Sequence, residues 1–212
     1  MRVYQVEQME GIFDTPTVIC LGVFDGVHLG HQRLIQEALE VARRQDLLAM
    51  VHTYDVLPAQ VIYPDRRIQA LTSLEERTAL IEAAGIEDIA VNAFTSQLQK
   101  ASGAAFFQEV LRGKLNARHL VVGFNHRFGF RGDTDVHTLE DLCKQAGIGL
   151  SVIQPVRTRE GNLVSSSAIR SALLLDDVEL AEEMLGRPLS PSMKQWVSSE
   201  HTLHPFSIST EV

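Results

Sequence analysis

Apolar and polar positions along the 212-residue chain fall into two alternating patterns, short apolar runs and longer stretches with helical spacing. Val18-Ile19-Cys20-Leu21-Gly22 is an apolar run of the kind that forms a strand buried on both faces. Phe24-Asp25-Gly26 then punctuates the chain, and Leu34, Ile35, Ala38, Leu39 and Ala42 recur at helical spacing. Residues 47–54 predict a second strand, and Thr72-Ser73-Leu74-Glu75 reads as a capping box opening a helix that closes at Gly85. Ile89-Ala90-Val91 predicts a third, weaker strand, followed by an amphipathic helix over 102–111 that closes near Gly113. A fourth strand over 119–123, a helix over 138–146 and a fifth strand over 150–153 complete the series. Alternation at roughly thirty-residue intervals is the rhythm of βαβ units. The expected fold is α/β: a doubly wound parallel sheet of about five strands with helices on both faces, binding ligands beyond the carboxyl ends of the strands.

Composition narrows the setting. At 45% apolar and 22% charged residues, the chain has the make-up of a globular protein, and 212 residues suffice for one domain with a full core. No internal repeat or low-complexity segment interrupts it. No apolar run is long enough to span a bilayer, and the opening MRVYQVEQMEG has no signal-peptide h-region. Cys20 and Cys143 form no CxxC pair, which fits a reducing cytoplasm better than a disulfide or metal framework. A net charge of -8 argues against bulk binding to nucleic acid or an anionic membrane, but not against a small anionic ligand.

The residues with chemistry cluster after the predicted strands. His28, Gly30 and His31 stand where the first strand passes through a turn into a helix. A helix start offers unpaired N–H groups and a positive dipole end to a phosphate, and two histidines three apart add uncharged donors on one face. Gly30 lets a ligand approach the backbone. The lesser alternatives are that the glycines serve only the turn and that the histidines form a zinc site, although zinc needs further ligands and the metalloprotease spacing is different. No Gly-Lys-Ser/Thr follows, so this is not a P-loop. After the fourth strand, residues 122–133 combine Arg127 and Arg131 with Phe124, Phe128 and Phe130. Such a loop can offer guanidinium groups to phosphate and rings to a flat heterocycle, or can pack on its own phenylalanines. Ser165, Ser166 and Ser167 before a helix read first as N-caps, and with Arg170 as a possible grip on a polyphosphate.

These strings also carry a resemblance. Gly22-Val23-Phe24-Asp25-Gly26-Val27-His28-Leu29-Gly30-His31 resembles the GxFDGxHxGH signature of the HxGH nucleotidyltransferases. Its FDG form is most similar to the FMN adenylyltransferase module of bacterial bifunctional riboflavin kinase/FAD synthetases. Gly123, Arg127, Phe128 and Gly129 match that family's VGxDFRFGxxxxGD segment, with Asn125 in place of the common Asp and His126 in place of the common Phe. Val164 to Arg170 resembles its (I/V)SS(S/T)xIR signature. The resemblance, which runs from about Val18 to Pro188, implies a Rossmann-like fold of the HxGH type that transfers AMP from ATP, with Mg²⁺, to FMN, giving FAD and pyrophosphate. It assigns His28, His31 and Arg170 to catalysis, and Gly22, Val23, Phe24, Asp25, Gly30, Ser166 and Ser167 with those three to ATP. Asn125, Arg127 and Phe128 are expected to touch nucleotide or flavin; His126 is read as local variation, and no side chain is assigned to the metal.

Two departures qualify this. Tyr54-Asp55-Val56-Leu57-Pro58 keeps the Asp but not the His of the family's Phe-Asp-Pro-His-Pro segment. Leu185-Gly186-Arg187-Pro188 matches the junction at which such enzymes continue into a riboflavin kinase barrel, whereas 189–212 is too short for one. The expected organisation is therefore a nucleotidyltransferase domain over 1–188 and a tail over 189–212, mobile unless Trp196 pins it, with FMN supplied by a separate riboflavin kinase. The competing functions are transfer to another phosphorylated acceptor, and a non-catalytic flavin or nucleotide sensor.

Overall fold

The computed structural model describes residues 1–199. Six strands form one parallel sheet: β1 (Arg2–Gln5), β2 (Thr17–Leu21), β3 (Leu48–Tyr54), β4 (Asp88–Asn92), β5 (Ala117–Gly123) and β6 (Gly149–Ile153), in the order β1-β4-β3-β2-β5-β6. The helices are α1 (Leu29–Gln45), α2 (Pro58–Ile62), α3 (Leu74–Ala83), α4 (Ser96–Lys100), α5 (Gly103–Phe106, continued as a π-helical stretch over Phe107–Arg112), α6 (Val136–Ala146), α7 (Ser166–Leu174), α8 (Val178–Leu185) and α9 (Pro191–Ser199).

β2 shows why the sheet must be covered twice. Ile19 and Leu21 join a core with Phe106, Phe107, Leu139 and Cys143, whereas Val18 and Cys20 join one with Ile35, Ala38, Val41 and Ile81. Successive side chains of a strand point to opposite faces, so an unbroken apolar run needs α5 and α6 on one side and α1 and α3 on the other. The chain moves from β2 through β3 to β4 on one side, then returns to lay β5 and β6 on the other. The switch point lies between β2 and β5, and the carboxyl ends of those strands carry the unusual residues.

Four expectations need correction. The sheet has a sixth strand, β1, which pairs with β4 at the edge. Its four residues are largely exposed, so it shows no apolar run to find. The third strand is not weak: all five residues of β4 are buried. The capping box is one residue later than read, since Ser73 accepts from the Glu76 N–H while the Glu76 carboxylate accepts from the Ser73 N–H. The segment expected as a loose tail begins instead as packed chain. Leu189 and Met193 are buried against α7 and α8, and the Leu189 N–H donates to Glu182. The side chain of Trp196 and residues 200–212 lie outside the described residues. Cys20 and Cys143 are free and buried; burial pushes both thiols upward, Cys143 to about 11.

Candidate active site

Between β2 and α1 the backbone turns through conformations that side chains rarely adopt. Phe24 (φ 56), Gly26 (φ 81) and Val27 (φ 40) all have positive φ, and for a β-branched valine that is strained by on the order of 1–3 kcal/mol. Several groups hold the turn. The Phe24 ring is fully buried and lies where a side chain at Gly22 would be, since an added Cβ would stand 3.0 Å from it. Asp25, also buried, accepts from the N–H groups of Leu71 (2.9 Å) and Thr72 (3.1 Å) and forms a salt bridge with Arg170. Arg77 of α3 donates to the carbonyls of Val23 (3.0 Å) and Tyr54 (2.9 Å). Arg187 donates to the carbonyls of Gly26 (2.7 Å) and Val27 (3.2 Å).

His28 caps α1. Its Nδ1 accepts from the His31 N–H at 3.3 Å, so the neutral ring carries its proton on Nε2. The His28 and His31 rings stack with centroids 3.7 Å apart and planes 16° from parallel. Burial lowers the His28 pKa to about 4, assisted by the Arg187 charge. Burial also takes His31 well below the ordinary value, with His28 and Arg77 adding to the effect. Both are therefore neutral at pH 7, as donors to an anion without fixed charge. His31 Nδ1 is buried and has no partner among the described residues. Gly30 has a sharper role than expected, because an added Cβ would stand 3.0 Å from the His28 ring.

The third motif is more structural than its sequence suggests. Ser165 is the N-cap of α7, accepting from the Ala168 N–H. Ser166 donates to the Asp25 carbonyl at 2.8 Å, which ties the start of α7 to the 23–27 turn. Ser167 is exposed. Arg170, expected on phosphate, has Nη2 committed to Asp25 and Nε to the Gln69 carbonyl at 2.7 Å. Its first role is to fasten Asp25, which leaves Nη1 as its remaining nitrogen for a ligand.

Beside this turn a cleft of about 890 Å³ opens over the ends of β2, β3 and β5, reaching from Gly22 and Val23 to Arg127, Phe128 and Arg131. Its walls are aromatic. Tyr54 meets Phe94 at 5.4 Å and His52 at 5.2 Å, and Phe106 meets His52 at 5.3 Å and Phe128 at 5.6 Å between ring centroids. Burial pushes the Tyr54 phenol up to about 12. His52 Nε2 lies 2.7 Å from Asn92 Oδ1, and Asn92 Nδ2 donates to Glu7 at 2.6 Å. The carboxylate fixes the Asn92 amide and hence a proton on His52 Nε2. His126, dismissed on sequence, lines the cleft; burial lowers its pKa to about 4. Asn125 is exposed and stands outside the lining, whereas Arg127 and Phe128 are part of it. Asp55 spends its carboxylate on the backbone N–H groups of Val56 and Phe94, and Leu57 is buried where the family's His would be. The missed residues are His52, Tyr54, Phe94 and Phe106, while His126 was noticed but read as local variation. Only His52 left a signal, a lone ionisable group near the end of an apolar strand.

The FAD synthetase family model matches residues 12–168. The chain belongs to the FAD synthetase family. The bifunctional riboflavin kinase/FMN adenylyltransferase of Bacillus subtilis is 36% identical over 174 residues, which cover 81% of this chain and 54% of that protein. The FAD synthetase of Listeria monocytogenes is 31% identical over 175 residues, covering 81% of this chain and 69% of the relative. The chain thus spans about half the length of the bifunctional relatives it matches. Among solved structures, the macrolide-efflux protein of Streptococcus pneumoniae superposes with a TM-score of 0.76 at 28% identity, over 87% of this chain and 59% of that one. The pantoate-beta-alanine ligase of Francisella tularensis, with a TM-score of 0.56 at 12% identity over 94% and 85% of the two chains, shares the FAD synthetase fold. No helix among the described residues is long and apolar enough to cross a membrane.

Proposed function

We propose that this chain is an FMN adenylyltransferase, transferring AMP from ATP to FMN to give FAD and pyrophosphate in the cytoplasm. The observation that carries the reading is the junction of two different surfaces at Gly22 and Val23. On one side lie the α1 and α7 starts and the neutral His28–His31 stack, suited to phosphate; on the other is a wide aromatic cleft, suited to a flat ring system.

In this reading an oxygen of the FMN phosphate attacks the α-phosphorus of ATP, and the bond from that phosphorus to the bridging oxygen of pyrophosphate breaks. A phosphate monoester is already largely ionised at pH 7, so the protein supplies no strong base. It positions the reactants and stabilises charge that moves toward the leaving group. His28 donates from Nε2, since Nδ1 is occupied by the cap. His31, stacked on it, is a second neutral donor, and Ser167 and Arg170 Nη1 face the outer phosphates. Arg127 and Phe128 serve the flavin side together with Tyr54 and His126. Among the described residues no three His, Cys, Asp or Glu side chains gather as a metal site. Magnesium would enter with the triphosphate and would neutralise part of its charge.

The test is a product assay with ATP, Mg²⁺ and either FMN or riboflavin, the flavins being separated by chromatography. FAD from FMN supports the proposal. Bound FMN and ATP with no product would replace it by a sensor, and absence of flavin binding would replace FMN by another phosphorylated acceptor.

A further inference from the structure

The 23–27 turn is gripped by three arginines, and two of them lack the usual reason for being there. Arg170 has a carboxylate partner in Asp25. Arg77, only 2% exposed, and Arg187, partly buried, form no salt bridge among the described residues; each spends its guanidinium on neutral acceptors. Arg77 Nε is buried and has no partner among the described residues. Asp25 and Asp55 act on Arg77, and Glu76 on Arg187, only from a distance, and burial works against both charges. A buried guanidinium without an anion is unfavourable, so two of them converging on one strained turn need an explanation.

The backbone supplies one. In a planar trans peptide the C=O and N–H point to opposite sides. Drawing the Val23 carbonyl to Arg77 therefore aims the Phe24 N–H away from it, and drawing the Val27 carbonyl to Arg187 does the same for the His28 N–H. Neither N–H donates to another group among the described residues. The arginines leave two free donors, one at each end of the turn that leads into α1, while adding positive charge behind them. A polyanion in front of the turn would satisfy both features.

We infer that Arg77 and Arg187 are positioning residues for a bound triphosphate, clamping the carbonyls at the two ends of the 23–27 turn so that the Phe24 and His28 N–H groups face the phosphates, with the ligand as the anion that balances their charge. The inference rests on the proposed adenylyl transfer for the identity of the ligand.

The experiment measures Mg–ATP affinity by calorimetry on the protein alone, kcat for FAD formation and the thermal midpoint, for Arg187→Gln, Arg187→Lys and Arg77→Lys. Arg187→Gln removes both clamp and charge and should weaken Mg–ATP binding and lower kcat by about tenfold each. Arg187→Lys keeps the charge but cannot reach two carbonyls with a planar fork, so it should recover most of the affinity and little of kcat. Arg77→Lys should behave in the same way. If it does not fold, the two Arg187 variants decide the matter. A lowered thermal midpoint with unchanged affinity and unchanged kcat per folded molecule would reduce both arginines to structural supports and overturn the inference. So would wild-type protein that fails to bind Mg–ATP. Wild-type protein that binds Mg–ATP but makes no FAD would instead overturn the flavin reading, and the affinities alone would then judge the clamp.

Discussion

Gly30→Ala separates a turn glycine from one that makes room for a reacting group. Gly30 does not have positive φ, so alanine fits its backbone without strain. The added methyl would stand 3.0 Å from His28 Cε1 and 3.1 Å from Nδ1, about 0.4 Å inside ordinary contact. The ring has little freedom to yield, because it is stacked 3.7 Å from His31 and bound through Nδ1 to the His31 N–H at an already long 3.3 Å. A displacement of that size breaks the cap, costing about 0.5–2 kcal/mol. Alanine in place of glycine in the helix returns up to about 1 kcal/mol. Net stability should therefore fall by no more than about 2 kcal/mol. Since misplacing a reacting group by about 1 Å can cost on the order of a hundredfold, the smaller shift here should lower kcat by about tenfold. Steady-state FAD formation and urea denaturation on the same preparation measure both quantities. Turnover within about twofold of wild type at equal stability would refute the placement of His28 at the reacting phosphate.

Other outcomes follow from the same geometry. His28 and His52 are buried, and both pKa values fall to about 4, so between pH 6.5 and 4 the unfolded chain takes up protons that the folded chain refuses. Stability should be full above 6.5 and lost as pH falls toward 4, by on the order of 3 kcal/mol for each ring; His52→Leu should flatten this acid limb in urea titrations at pH 7, 5.5 and 4.5. Asp25→Asn leaves the Arg170 guanidinium without its partner and should destabilise the protein by about 3 kcal/mol, read from the urea midpoint. His126→Ala should raise the KM for FMN by about tenfold while Asn125→Ala leaves it unchanged, because only His126 lines the cleft. The reverse order would move the flavin elsewhere. Met193→Ala should cost about 2–3 kcal/mol in urea unfolding if residues beyond Pro188 belong to the packed domain.

The parallel sheet, its two helical layers and the helix start that carries His28 and His31 were legible in the sequence because each depends on local pattern. An apolar run flanked by turn residues specifies a doubly covered strand, and Gly30 between His28 and His31 at a helix start specifies donors on one face, whatever the rest of the chain does. β1 was not legible, because an exposed four-residue edge strand is defined by the partner β4 that it finds. The assignments of Arg170 and Ser166 needed the fold as well. Both stand in a string expected from its resemblance to bind phosphate, yet their first partners are Asp25 and its carbonyl, more than a hundred residues earlier in the chain. The cleft shows the limit most clearly. Tyr54, Phe94, Phe106, Phe128 and His126 come from four separate segments and carry no shared spacing. Sequence determined which residues could start a helix, line a face or cap an end. Only tertiary packing decided which carbonyl an arginine would meet and which histidine would face the cleft, because those contacts are set by distances across the sheet.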